Sequence, residues 1–260
     1  MSHKVHVTVQ GNGAPIVLVH GFALDQRMWL HQIIVLSEHY RVVAVDVPGC
    51  GKSPASELLS IASIADTIMD AVQPFLEERR SIYMGLSMGG YIGWEILSRY
   101  SKFFAAAVMC DTRASGDTTA TADGRRQMAA KALEAGTENV MKPMLPRLVS
   151  EDTLRDQPET ITLMQDMMFS TKLQTIHNHQ LAMADRYDFQ GELSQFSLPI
   201  LLICGTDDIL TPPKEMKRLA AGLPQATFAE IPQAGHMAPL EQPGLVNQHL
   251  REFLGTVLPK

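Results

Sequence analysis

Three cysteines among 260 residues, 6% aromatics and no block of basic residues set the first limits on this chain. Cys50, Cys110 and Cys204 are odd in number and none belongs to a CxxC pair, which argues against a disulfide framework. Cys110 and Cys204 close the apolar runs AAAVMC and ILLIC, where a reduced thiol behaves as a small buried hydrophobe. The expected compartment is therefore the reducing cytoplasm. Lys and Arg number 22 against 28 Asp and Glu, a formal net charge of -6. A mildly acidic chain without a basic patch lacks the electrostatic footprint of a nucleic-acid binder and the polybasic cluster expected at an anionic membrane. Apolar runs such as Ala105 to Cys110 fall far short of the roughly 20 residues that span a bilayer. The start of the chain shows no basic, apolar and small-residue succession of a secretory signal. No repeat or low-complexity segment is present. What remains is an ordinary globular composition, 45% hydrophobic and long enough for a large core.

Two kinds of segment alternate through the first 110 residues. Ile16–Val19, Val42–Val45, Ile82–Met84 and Ala106–Met109 are short apolar runs separated by stretches with helical spacing. Runs apolar throughout suit strands buried on both faces, and their alternation with helices predicts a parallel sheet. Val5, Val7 and Val9 alternate with polar residues and predict a half-exposed edge strand, with Gly11-Asn12-Gly13 as a tight turn into the next strand. The pattern resumes at Ile200–Cys204 and Ala226–Ile231 and closes with a helix over Leu245–Leu254. From about Thr112 to Tyr187 the signals are helical: Gly136 stops one stretch, Pro158 opens another, and Ser170 or Thr171 caps a third. Seven of the 15 methionines lie there, as flexible core filling or as the wall of an adaptable pocket. The expected organisation is one α/β core from residues 1–111 and 191–260, interrupted by a helical insert over residues 112–190.

The sharpest chemical signal is Gly85-Leu86-Ser87-Met88-Gly89-Gly90, placed after a strand and before a helix. A serine on so sharp a turn is exposed toward substrate, and glycines flank it because side chains there would clash. A hydroxyl needs a base to take its proton and a carboxylate to orient that base. Both follow in chain order: an aspartate in Gly205-Thr206-Asp207-Asp208, and His236 in a glycine-containing loop after a strand. His20-Gly21-Phe22 follows the Ile16–Val19 strand, and the backbone N–H groups of Phe22 and Met88 are the candidate donors for an oxyanion. His20 itself is expected to brace its loop. His177 and His179 sit on the predicted insert helix at a spacing unsuited to two ligands on one face, so no metal site is assigned. Arg186, Tyr187 and Asp188 are expected to form a hinge or a helix-end charge interaction.

Together with Asp46-Val-Pro-Gly-Cys-Gly-Lys-Ser53, these motifs make the chain resemble the α/β-hydrolase family across nearly the whole core. The resemblance implies a mostly parallel central sheet flanked by helices, with the insert as a helical cap. It implies Ser87, Asp208 and His236 as a triad, Asp208 being preferred to Asp207 as the third residue after the glycine. It implies chemistry that needs no cofactor. Relatives with aspartate at the elbow, the haloalkane dehalogenases and epoxide hydrolases, are excluded by Ser87. The likeness is to small bacterial esterases, non-haem haloperoxidase-like enzymes and 3-oxoadipate enol-lactonases. Cys50 departs from the larger or aromatic residue usual in relatives, and nothing in the sequence makes it a nucleophile.

Two other function classes are weighed against this. Gly51-Lys52-Ser53 ends like a phosphate-binding loop, but the glycine required five positions earlier is Asp46, whose charge would repel phosphates. A small-molecule receptor on the same scaffold is disfavoured by the complete set of Ser87, Asp208 and His236. The expectation is a serine esterase acting on a small to medium, mainly neutral or apolar ester, with an enol-lactone or a carbon–carbon bond as alternatives. The insert carries Arg125, Arg126, Lys131 and Arg147 alongside Glu134, Glu138 and Glu151, and the sequence leaves open whether any of these cations enters the pocket.

Overall fold

The computed structural model describes residues 5–55, 60–78 and 80–258. Seven strands, β1 (Val7–Gln10), β2 (Pro15–Val19), β3 (Arg41–Val45), β4 (Ser81–Leu86), β5 (Phe104–Cys110), β6 (Ile200–Gly205) and β7 (Ala226–Ile231), form one sheet in the order β1-β3-β2-β4-β5-β6-β7. Every neighbour pair is parallel except β1 against β3. All residues of β2, β4 and β6 are buried, as expected of strands covered on both faces. β1 is the exposed edge, with Val9 41% accessible.

Gly11-Asn12-Gly13 leads from the edge strand into the next strand, as expected, without making the two strands neighbours in the sheet. β2 already has β3 and β4 on its two sides; β1 pairs instead with β3, Val7 lying opposite Val45. The two glycines adopt φ of 77° and 109° and pass too close to the backbone oxygens of Ser37, His39 and Tyr40 to carry a β-carbon.

Among the described residues six helices accompany the sheet: α1 (Leu30–Leu36), α2 (Ile61–Val72) and α3 (Met88–Tyr100) before the insert, and α9 (Pro213–Gly222), α10 (Ala238–Glu241) and α11 (Pro243–Val257) after it. The last contains the predicted Leu245–Leu254 helix and extends it at both ends. In α2, Ser60 and Ser63 form a reciprocal cap, and Ile61, Ile64, Ala65, Ile68, Met69 and Val72 make one buried stripe at three- and four-residue spacing. α2 packs on α3, and α1 packs on α10 and α11.

Between β5 and β6 the chain forms α4 (Thr119–Ala135), α5 (Thr137–Met141), α6 (Glu151–Asp156), α7 (Pro158–Ser170) and α8 (Leu173–Ala184), with α4 packed along α8. Gly136 ends α4 at φ 87° and Pro158 opens α7, as expected. Neither Ser170 nor Thr171 caps α8. α7 runs through Ser170, and both hydroxyls donate to the Met167 carbonyl in its last turn, at 2.9 and 3.2 Å. Lys172 stands at the start of α8 without a side-chain cap. Among the described residues no helix is long and apolar enough to cross a membrane.

Ile68 has no accessible surface within the α2 stripe. Ile68→Ala should lower the unfolding free energy by about 3 kcal/mol, measured by urea denaturation, because the cavity left behind adds to the lost transfer energy.

Candidate active site

Ser87 stands between β4 and α3 with φ 53° and ψ -113°, a conformation that costs a non-glycine residue about 1–3 kcal/mol. Its surroundings leave little choice. A β-carbon on Gly85 would lie 2.4 Å from the Gly89 oxygen, and one on Gly89 would lie 2.3 Å from the Val19 oxygen. The Ser87 N–H donates to the Cys110 carbonyl at 3.0 Å, and Thr112 Oγ1 donates to the Ser87 carbonyl at 2.8 Å. Tyr83 Oη fixes the next turn by donating to the Gly89 carbonyl at 2.5 Å. The backbone is thus fully engaged, while the Ser87 hydroxyl has no hydrogen-bond partner among the described residues and borders a cavity.

His236 borders the same cavity from the loop after β7, and Asp208, on the loop after β6, stands behind His236. His236 Nδ1 and Asp208 Oδ2 are 2.8 Å apart, both residues buried. Asp207 is exposed, so Asp208 is the partner. Thr211 Oγ1 donates to the same Oδ2 at 2.5 Å, and the N–H groups of Leu210 and Thr211 donate to Oδ1 at 2.7 and 3.0 Å. Burial alone would raise the Asp208 pKa, but the His236 charge and these donors outweigh it and hold the carboxyl below the usual carboxylate range.

The loops are braced by groups that the chemistry does not consume. His20 Nδ1 donates to the Gly21 carbonyl and its Nε2 accepts from the Val47 N–H, both at 2.8 Å, and burial lowers its pKa, so it is a neutral strut. The N–H groups of Phe22 and Met88 have no acceptor among the described residues. Glu241 was not signalled by the sequence. Its Oε1 accepts from the N–H groups of Gly235 and Met237, and its Oε2 from the Ser150 N–H and the Thr153 hydroxyl, at 2.7 to 3.0 Å. One buried carboxylate therefore clamps the His236 loop to the start of α6.

Asp111 was also missed, although it directly follows β5. It is buried at φ 44°, accepts from the Gly205 N–H at 2.8 Å, and leaves Oδ2 without a partner. Burial and the neighbouring Asp208 charge push its pKa well above the carboxylate range. Ligand atoms of Asp111, Cys204 and Asp208 lie within 4.8 Å of one another. Burial also raises the Cys204 thiol, which donates to the Gly205 and Thr211 carbonyls at 3.5 and 3.3 Å. Cys50 is likewise buried with its thiol pushed up, which removes it as a nucleophile.

His177 Nδ1 bonds the Ala129 carbonyl and His179 Nε2 the Pro48 carbonyl, and burial takes the His179 pKa down to about 4. Asp46 accepts from the Gln26 and Lys52 N–H groups, so the loop resembling a phosphate cradle folds around its own carboxylate.

The cavity has a volume of about 610 Å³. The core side supplies Ser87, His236 and Phe22, and the helical insert supplies Met128, Met144 and Met183, so its methionines serve the pocket wall as well as the core. Arg125 and Arg147 of the insert border it, as does Arg113, whereas Arg126 pairs outside with Asp123 and Asp185. Arg186 makes the helix-end charge interaction: its Nη1 donates to the Met183 carbonyl in the last turn of α8 at 2.9 Å, and the buried guanidinium lies over the Tyr91 ring at 4.3 Å and pairs with Asp117.

Residues 16–249 match the sequence profile of the alpha/beta hydrolase family. An esterase from Thermogutta terrifontis, studied with malate bound, superposes with a TM-score of 0.93 at 34% identity, over 97% of this chain and 93% of that one. The enol-lactonase of Burkholderia xenovorans LB400 superposes with a TM-score of 0.87 at 26% identity, over 96% of each chain. The dihydrolipoyllysine-residue acetyltransferase component of the acetoin cleaving system of Pseudomonas putida is 27% identical over 251 residues, 93% of this chain. The chain spans 64% of that protein's length.

Two outcomes test the bracing. Glu241→Ala leaves four buried donors unpaired and should cost at least about 3 kcal/mol in urea denaturation. Asp111, with its raised pKa, binds a proton in the folded chain that the unfolded chain has released above about pH 4, so it makes stability decline as pH rises. Asp111→Asn keeps an acceptor for the Gly205 N–H and removes that decline. Its urea midpoint should therefore gain on wild type between about pH 4 and pH 8.

Proposed function

The chain belongs to the α/β-hydrolase family, and from that premise we propose that it is a serine hydrolase cleaving a small to medium carboxylic ester through an acyl-enzyme. The observation that carries this reading is that His236, paired with the buried Asp208, borders one cavity with the unpartnered hydroxyl of Ser87. In this reading His236 takes the Ser87 proton as the oxygen attacks the ester carbonyl. The carbonyl π electrons move to oxygen, where the Phe22 and Met88 N–H groups stabilise them. Collapse expels the alcohol, protonated by His236, and leaves the acyl group on Ser87. Water, deprotonated by His236, then attacks the acyl carbon; the bond to Ser87 Oγ breaks, His236 returns the proton to that oxygen, and the acid is released. Asp208 holds the imidazole with Nδ1 protonated and stabilises the imidazolium. The helical insert acts as a cap over the acyl pocket, and no step calls for a cofactor.

A second reading is favoured by the likeness to an enol-lactonase: the same groups would open a lactone, the leaving oxygen staying tethered to the acyl chain. The decisive test is hydrolysis of p-nitrophenyl esters from acetate to dodecanoate by wild type and Ser87→Ala. Turnover peaking at short or medium chains and falling roughly a thousandfold or more in the variant is expected. Absence of Ser87-dependent turnover on every ester would overturn the esterase reading and turn attention to lactones, carbon–carbon bonds or a receptor role.

A further inference from the structure

The charge of the cavity runs against that of the chain. The whole sequence carries a net charge of -6, yet the cavity is bordered by Arg113, Arg125 and Arg147 and by no aspartate or glutamate among the described residues. The three cations are not equivalent. Arg113 is balanced by Glu215 at 3.2 Å. Arg147 is exposed and has no ion-pair partner among the described residues. Arg125 is held from behind: its Nε donates to the fully buried Asp117 at 2.6 Å, and Nη1 donates to Gln180 Oε1 at 3.3 Å.

Asp117 cannot neutralise Arg125 alone, because it also faces Arg186 Nη1 at 2.5 Å. Two guanidiniums thus share one carboxylate, leaving one positive charge in excess. Arg125 Nη2 has no partner among the described residues and is not enclosed, so its N–H groups remain available at the cavity wall. Met128 and Met183 stand beside it in the lining, and Met183 Sδ lies 3.6 Å from Nη1. A fixed planar donor with surplus charge, set behind apolar thioethers, is suited to capturing a carboxylate at the end of an apolar spacer.

We propose that Arg125 is a specificity-determining subsite for a free carboxylate, making the preferred substrate a half-ester of a dicarboxylic acid. This rests on the serine-hydrolase reading and replaces the expectation of a mainly neutral substrate. Arg147 adds a weaker, solvated attraction at the rim.

The test compares p-nitrophenyl monoadipate with p-nitrophenyl hexanoate, which share the spacer and differ in the terminal group, using wild type, Arg125→Gln and Arg125→Lys. Wild type should favour the half-ester by tenfold or more in kcat/KM. Arg125→Gln should cut that preference at least tenfold, chiefly through KM, and Arg125→Lys should keep part of it, because it retains the charge without the fork. Glutarate titrated calorimetrically into the same proteins reads the subsite without turnover, and its affinity should fall at least tenfold in Arg125→Gln. Equal handling of the two esters by wild type, or a preference and glutarate affinity unchanged in both variants, would overturn the proposal. If neither ester is turned over but glutarate binding depends on Arg125, the hydrolase reading fails while the carboxylate subsite stands.

Discussion

The peptide turn at Ser87 has no room for a β-carbon on either side of it, and the placement of the other groups follows from that crowding. Gly85 and Gly89 almost touch, and Gly89 rests on the Val19 oxygen at the end of β2. The Cys110 carbonyl and Thr112 hydroxyl beyond β5 take up the polar groups of the Ser87 backbone. The strained residue is therefore held by the two strands that flank β4, and its left-handed φ is an outcome of sheet order. Such strain persists only where the surroundings over-determine it. The hydroxyl, being the one polar group of Ser87 left without a protein partner, is what the turn presents to the cavity.

Carboxylates of one chemical type are driven to different states by their neighbours around this turn. Asp208 receives three donors and faces His236, so it stays ionised despite burial. Asp111 receives one backbone donor and faces Asp208, so burial and repulsion keep its proton on. Two anions side by side would weaken the hold on His236; the upward shift of Asp111 favours its neutral form and so works against such a pair. Glu241 satisfies four donors from two segments and sets where the His236 loop lies relative to the insert. The electrostatics of the site are a property of the hydrogen-bond inventory more than of residue type.

Legibility in the sequence followed how local each signal was. Strands buried on both faces announce themselves as unbroken apolar runs, and the turn at Ser87 announces itself because only glycine tolerates its contacts. Asp208, His236 and the strut His20 lie within a few residues of glycine-marked strand ends. The alternation of Val5, Val7 and Val9 marked β1 as an edge strand, but its partner β3 was not legible, because that is set by which strand edge remains unpaired. Ser170 and Thr171 were misread because a hydroxyl between two helices can cap the second or bond back into the first. Asp111, Glu241 and the arginines of the cavity were invisible as site elements. Their partners lie far away in sequence, and a charged residue on a predicted helix has no preferred direction until the helices pack.

That last point explains why the insert matters more to specificity than to chemistry. In the proposed chemistry the core supplies an attacking group, a base and oxyanion donors, none of which distinguishes one acyl chain from another. Discrimination has to come from side chains that reach the cavity from α4 and α8, where Met128, Met183 and Arg125 stand. Arg125 on α4 and Arg186, just beyond α8, are tied to one buried carboxylate, so the charge facing the cavity is fixed in place by the contact that joins the two helices. A guanidinium immobilised in this way loses little side-chain entropy when it meets an anion, which is the physical condition for turning an ordinary salt bridge into selectivity. In the proposed subsite, packing of the insert and recognition of the substrate are one interaction, and a change that loosens the α4–α8 pair would blur selectivity before it touched Ser87.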